Sequence, residues 1–211
     1  MPNEIFDKDC RACPRLADFL DTVNDRYPDY YCRPVPPFGD REARLLIVGL
    51  APGMHGANRT GRPFTGDHAG ILLYQTLHKF GLGTHAESTA ADDKLALLDC
   101  RITTAVKCLP PENKPVGAEI NTCNTFLANE LNTLPASSVV LALGGIAHRA
   151  VVKALGGRQA DFKFAHAAVH DVAPVRLLDS YHCSRYNTNT GRLTTEMFEA
   201  VFAKARALLD K

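Results

Sequence analysis

The sequence predicts an α/β protein, a three-layer α/β/α sandwich around a four-stranded parallel sheet, in a single domain over residues 1–211. Three observations predict it. Short apolar runs alternate with stretches of helical spacing, the pattern of strands joined by helical crossovers. The runs are apolar throughout, as strands covered on both faces are. The chain's 211 residues, 45% hydrophobic and 22% charged, suffice for one sizeable core.

The first forty residues read as irregular, because Pro28, Pro34, Pro36 and Pro37 interrupt any long element. Arg44 to Leu50 is the first strand. His68 to Phe80 is a helix with Ile71, Leu72, Leu77 and Phe80 at helical spacing. A second strand lies within Leu97 to Val106, helped by Ile102, Thr103, Thr104 and Val106. Val116 to Leu134 is a helix entered through Pro115, with Ile120, Phe126, Leu127 and Leu131 on one face. Ser138 to Leu143 is the third strand, ended by Gly144-Gly145, and Ile146 to Leu155 the helix after it. Val175 to Leu178, stopping near Ser180, is the fourth strand. Thr194 to Leu209 is the last helix, with Met197, Phe198, Val201 and Leu208 inward.

The bulk properties narrow the function. Net charge is +1, so a nucleic-acid partner must be held by a local patch of cations. No apolar run is long enough to span a membrane. The first ten residues, MPNEIFDKDC, lack the apolar core of a secretory signal. Seven cysteines without such a signal argue for a reducing, cytoplasmic setting and for metal or redox use of some of them.

Parallel sheets bind ligands at the carboxyl ends of their strands. That rule selects the loops after Leu50, after Val106 and after Ser180. The first carries Gly49, Gly53, Gly56, Gly61 and Gly66, with His55, Asn58, Arg59, Arg62, Phe64 and Asp67. It lacks the Gly-Lys-Ser/Thr of a P-loop and the glycine spacing of a dinucleotide fingerprint, so no nucleotide cofactor is indicated. Asp67 is placed either to cap the next helix or to do chemistry. In the second loop Asn113 is of a type common in turns. Cys10 and Cys13 form a CxxC, and Cys108 and Cys123 bracket the second loop and the helix after it. On spacing alone these are a redox pair, a zinc site or an iron–sulfur site.

Gly49 to Asp67, GLAPGMHGANRTGRPFTGD, closely resembles motif 1 of the family 5 uracil-DNA glycosylases, the type-B bacterial and archaeal branch of that superfamily. Leu50 and Ala51 stand where other branches carry an Asp, Asn or Glu, as is typical of family 5. Tyr181-His182-Cys183-Ser184-Arg185-Tyr186-Asn187, followed by TNTGRLT, is similar to the superfamily's second motif. There Cys183 replaces the usual proline, a change expected to loosen the loop. Cys10-x-x-Cys13-Pro-Arg-Leu and the pair Cys108 and Cys123 resemble the iron–sulfur families 4 and 5.

The resemblance covers most of the chain and implies a uracil-DNA glycosylase-like fold. The implied enzyme hydrolyses the N-glycosidic bond of uracil in DNA, in base excision repair. Without a polar side chain at 50 and 51, other deaminated bases such as hypoxanthine are expected substrates too. The resemblance implies a [4Fe-4S] cluster on Cys10, Cys13, Cys108 and Cys123, structural in role. Cys32, Cys100 and Cys183 are then non-ligands, Cys32 standing where the family usually has glycine. His182 is expected to donate to the base carbonyl through a neutral ring, with backbone amides from Ala51 to Gly53 assisting. Phe64 is expected to stack on the flipped base, Asp67 to position or activate water, and Asn113 to hold water or sugar. Arg59, Arg62, Arg185 and Arg192 are the candidate phosphate contacts, and Ser184 to Thr190 the segment that wedges the minor groove. The expected partner is DNA containing deaminated bases, and the expected state is a monomer with no membrane contact. Two rival readings are a non-catalytic nucleic-acid-binding module with a four-cysteine metal site and a thiol oxidoreductase using Cys10 and Cys13.

Overall fold

Each apolar run after residue 44 becomes a strand of one sheet in the computed structural model, which describes residues 6–210. The strands are β1 (Phe38–Gly39), β2 (Leu45–Gly49), β3 (Cys100–Thr104), β4 (Val139–Leu143), β5 (Val169–Val172) and β6 (Val175–Ser180). Their order is β1-β3-β2-β4-β6-β5. The middle four, β3-β2-β4-β6, are parallel, as the sequence predicts. Antiparallel β1 and β5 extend the two edges and correct the expected count from four strands to six. Both escape a pattern search for physical reasons. β1 has two residues, and β5 reads Val-His-Asp-Val, polar at its centre.

The helices are α1 (Pro14–Arg26), α2 (Ala57–Thr60), α3 (His68–Lys79), α4 (Gly117–Leu131), α5 (Gly145–Ala154), α6 (Arg185–Asn189) and α7 (Thr195–Leu209). α1 corrects the expectation of an irregular N-terminus. The prolines invoked against it all follow Arg26, whereas Pro14 sits in the first turn, where its missing N–H costs nothing. Leu16, Ala17, Leu20 and Val23 give it a buried stripe.

Alternation along the strands sorts the core into two layers. Leu45, Ile47, Ile102 and Leu141 pack against Leu73, Tyr74 and Leu77 of α3 and Phe198, Val201 and Phe202 of α7. Leu46, Val48, Val140 and Ala142 pack on the other face against Leu127 and Leu131 of α4 and Ala147, Ala150 and Val151 of α5. Ile71, expected on the apolar face of α3, points outward and is 56% exposed. The central strand β2 leads across α3 to β3 on one side, while β4 lies on its other side. The resulting switch point sets the loops after β2, β3 and β6 at one end of the sheet.

Candidate active site

Those three loops enclose a cavity of about 460 Å³. Leu50, Ala51, Gly53, Phe64 and Asp67 line it from the first loop, Thr104 and Asn113 from β3 and the loop beyond it, and His182, Ser184 and Arg185 from the third. Ala51, Gly53, Phe64, Asp67, Asn113, His182, Ser184 and Arg185 thus come together as the sequence predicts, while Arg59, Arg62 and Arg192 lie outside the wall.

Phe64 serves both core and cavity. It is buried with the α3 layer and also lines the pocket. Its backbone takes a left-handed φ of 58°, which turns the ring back over the end of β2. There only glycine fits: a Cβ on Gly49 would lie 2.8 Å from the ring edge. The His182 ring stacks on Phe64, with centroids 6.0 Å apart at 27°. The His182 ring is half-buried at the cavity wall, and the desolvation it suffers there pushes its pKa down to about 4. The ring is therefore neutral at pH 7, able to donate through one nitrogen.

Asp67 stands at the N-cap position of α3, but its side chain makes no cap hydrogen bond. The carboxylate instead turns toward the first loop, where it accepts the Ala57 amide at 3.3 Å. Gly53 and Gly56 make room for it: a Cβ on Gly56 would fall 1.9 Å from the carboxylate carbon, one on Gly53 2.6 Å from Oδ1. Burial raises its pKa above the ordinary value, against the lowering by the Ala57 amide and by Arg59. The loop glycines thus serve a side chain rather than a ligand's phosphate.

Asn113 is exposed at the cavity rim, held there by a left-handed backbone with φ 56°. Ser184 caps α6, accepting the Asn187 amide, and Asn187 donates to the His182 carbonyl at 2.8 Å. That bond fixes the loop, while Cys183 is fully buried in the core. Arg185 is exposed at the rim, and Tyr186 beside it is 71% exposed. Arg59 is exposed near the mouth, with its guanidinium bonded to the His55 carbonyl at 2.7 Å. Arg62 is no phosphate contact: it is buried, paired with Asp93 at 2.6 Å and bonded to Ser88 and Thr65. Arg192 lies over the Tyr181 ring at 4.7 Å. The sequence reading missed Thr104. Its hydroxyl is buried at the cavity wall without a protein partner, on a strand whose β-branched residues all suit core packing.

A second cavity, of about 340 Å³, lies beside α1. Cys10, Cys13, Cys108 and Cys123 all line it, with Leu16, Val106 and Phe126. The four are free thiols. Burial and the neighbouring cysteines push the Cys108 thiol up to about 12. No three of the four sulfurs lie within 4.8 Å of one another. A single zinc with 2.3 Å bonds would hold its sulfurs about 3.8 Å apart. The donor set, four thiols gathered at one cavity, suits a centre bound by four thiolates. The Lys107 amide already donates to Cys123 Sγ at 3.3 Å, and Arg15 clamps Glu119 of α4 at 2.7 Å just beyond α1's start. Cys32 lies outside this cavity; its φ of 43° explains why glycine suits that position. Cys100 is buried in β3.

The model of the uracil DNA glycosylase superfamily matches residues 36–206. A type-5 uracil-DNA glycosylase of Thermus thermophilus is 48% identical over 205 residues, covering 94% of this chain and 93% of that protein. A type-5 uracil-DNA glycosylase of Pyrobaculum aerophilum is 46% identical, covering 94% and 88%. A type-4 uracil-DNA glycosylase from the same archaeon is 30% identical, covering 72% of this chain and 63% of its own length. The crystal structure of wild-type SMUG2 from Pedobacter heparinus superposes with a TM-score of 0.52 at 14% identity, covering 92% of this chain and 84% of that one, a likeness of fold. With the cavity built from the two matching motifs, these findings place the chain in the type-5 family of the uracil-DNA glycosylase superfamily.

Proposed function

We propose that this protein excises uracil from DNA by hydrolysing its N-glycosidic bond, as the first step of base excision repair. The observation that carries the reading is one cavity holding a carboxylate, a neutral half-buried histidine and an aromatic ring, at the strand ends of this fold. A base reaches such a cavity only by leaving the helix, at a cost of a few kcal/mol. Stacking on Phe64 offsets about 1–3 kcal/mol of it. As the C1′–N bond breaks, its electron pair moves onto the pyrimidine. His182 donates a hydrogen bond to the carbonyl oxygen where that charge gathers. Asp67 takes a proton from water, whose oxygen closes on C1′, and its negative charge faces the cationic sugar. Asn113 at the rim holds that water or the sugar. The base leaves as its anion and, through solvent, takes up the proton Asp67 received; the products are free base and an abasic site.

Arg59, Arg185 and Arg192 are the candidate phosphate contacts. Tyr186, exposed on α6, is placed to wedge the duplex as the base leaves. Leu50 and Ala51 present no polar side chain, which supports acceptance of hypoxanthine as well. Cys10, Cys13, Cys108 and Cys123 would hold a [4Fe-4S] cluster. When bound, it supplies a covalent tie between the start of α1, the loop after β3 and α4, and no chemistry at the base. We read the protein as a cytoplasmic monomer, and no helix among the described residues is long and apolar enough to cross a membrane.

The test is a duplex carrying one uracil, incubated with the protein and then with alkali. Strand breakage at the uracil is expected, and an intact strand leaves the non-catalytic DNA-binding module as the reading. The same assay with hypoxanthine settles the broader substrate range.

A further inference from the structure

Behind the catalytic loop, on the α5 face of the sheet, three titratable side chains meet. His148 of α5 places Nδ1 2.8 Å from Asp179 Oδ1, and His170 of β5 places Nε2 3.0 Å from Asp179 Oδ2. Asp179 and His148 are buried and His170 nearly so. The other nitrogen of His148 lies 2.8 Å from the Phe162 carbonyl, which can only accept. Both His148 nitrogens therefore carry hydrogen, and the ring is an imidazolium against a carboxylate. The ligand types would also suit a metal ion. However, 2.8 and 3.0 Å are hydrogen-bond distances, shorter than the roughly 3.3 Å between two ligands on a tetrahedral zinc.

Asp179 also gathers the segment 162–168. Its carboxylate accepts the Ala165 amide at 3.4 Å, and its backbone exchanges bonds of 2.9 Å with Ala167 and Ala168. That segment carries His166, whose Nδ1 accepts the Tyr181 amide at 3.1 Å and whose ring stacks on Tyr181 at 4.9 Å. Tyr181 is the residue before His182. We propose that Asp179, clamped by His148 and His170, is a positioning residue that sets the direction in which the chain enters His182. It acts through the 162–168 segment and never touches the base.

The clamp has a pH sign. The groups facing His148 are Asp179 from β6, His170 from β5, the Phe162 carbonyl and Phe164 ring from the 162–168 segment, and Arg149 on its own helix. Burial lowers the His148 pKa, but the Asp179 bond, its charge and the Phe162 carbonyl outweigh that and raise it. A raised pKa means the clamp is complete below the ordinary histidine value of about 6.5 and loosens as pH rises through the folded value.

The inference rests on His182 being the donor, so His182→Ala is measured alongside. The readout is single-turnover cleavage of the uracil duplex and its affinity, from pH 5 to 9, with melting to confirm folding. Asp179→Ala is expected to lower the cleavage rate about tenfold with DNA affinity within twofold, the cost of a donor moved by a fraction of an ångström. Asp179→Asn can donate to a neutral His148 and accept from His170. It should recover most of the rate and lack the alkaline-side fall expected of the wild type. Wild-type cleavage in Asp179→Ala beside a slow His182→Ala overturns the positioning role. So does an unchanged alkaline fall in Asp179→Asn, or one equivalent of zinc lost on His170→Ala. Full cleavage by His182→Ala overturns the donor assignment and the inference with it.

Discussion

The two cavities sit one loop apart and are organised in opposite ways. In the base cavity, packing and hydrogen bonds already hold the functional groups: Phe64 by the core, His182 by the Asn187 bond, Asp67 by the Ala57 amide and the room left at Gly53 and Gly56. In the cysteine cavity the thiols face apolar walls, and burial together with the neighbouring sulfurs raises the pKa of Cys13, Cys108 and Cys123. The first site is finished by folding; the second, on the proposed reading, is finished by the cluster. Perturbations should therefore separate. Changes at the first should cost rate with little stability, and changes at the second stability before rate.

The largest effect is expected at the finished site. His182→Ala removes a donor at the cavity wall and should slow single-turnover cleavage about 10²- to 10³-fold with the melting temperature nearly unchanged. The acid side sharpens the point. His182 stays neutral down to about pH 4, so the rate lost on acidification should follow Asp67, whose pKa burial raises above its ordinary value. Asp67 works ionised, so its contribution is present above that raised value and disappears as pH falls through it. Asp67→Asn should be slow and flat across that range. A limb near pH 6.5 that survives in Asp67→Asn would show His182 titrating as an ordinary exposed histidine.

A smaller effect on rate, and a larger one on stability, is expected at the cysteines. Cys108→Ser removes one of the four thiols, on the loop after β3. The variant should bind less than one cluster's iron, melt lower and expose α1 to protease, while its folded fraction cleaves uracil within about tenfold of wild type. α1 keeps Leu16, Leu20 and Val23 in the core and the Arg15–Glu119 pair, so it should loosen rather than detach. A variant with full thermal stability and lost activity would reverse the proposed division of labour.

The same contrast governs what the sequence could reveal. The four parallel strands were legible because burial on both faces leaves unbroken apolar runs, as in LLIVG and VVLAL. The cavity was legible because its residues sit on two motifs at strand ends. α1 was not, because the prolines that follow closely on its end mask a buried stripe of only four residues. β5 was not, because His170 within it serves Asp179 rather than a core face. Arg62 looked like its exposed neighbour Arg59 because sequence does not show Asp93, thirty-one residues on, coming back to pair with it. Asp67 stayed ambiguous because its position is a cap and its chemistry depends on a rotamer.

The smallest effect should come from Thr104, whose hydroxyl is buried at the cavity wall without a protein partner. Leaving such a group unpaired costs about 1–3 kcal/mol. Thr104→Val keeps the shape beside Phe64 and removes that cost, so the free protein should melt higher. If the bound base offers the hydroxyl its missing partner, the gain is repaid on binding, and uracil should be cleaved several-fold more slowly by the variant. Comparing the variant's uracil and hypoxanthine rates, which present different edges at the same wall, locates that partner. Equal slowing assigns it to the part of the base common to both, and slowing of uracil alone to its pyrimidine edge. A higher melting point with both rates unchanged would make Thr104 a packing residue and confine recognition to Phe64, His182 and the first loop.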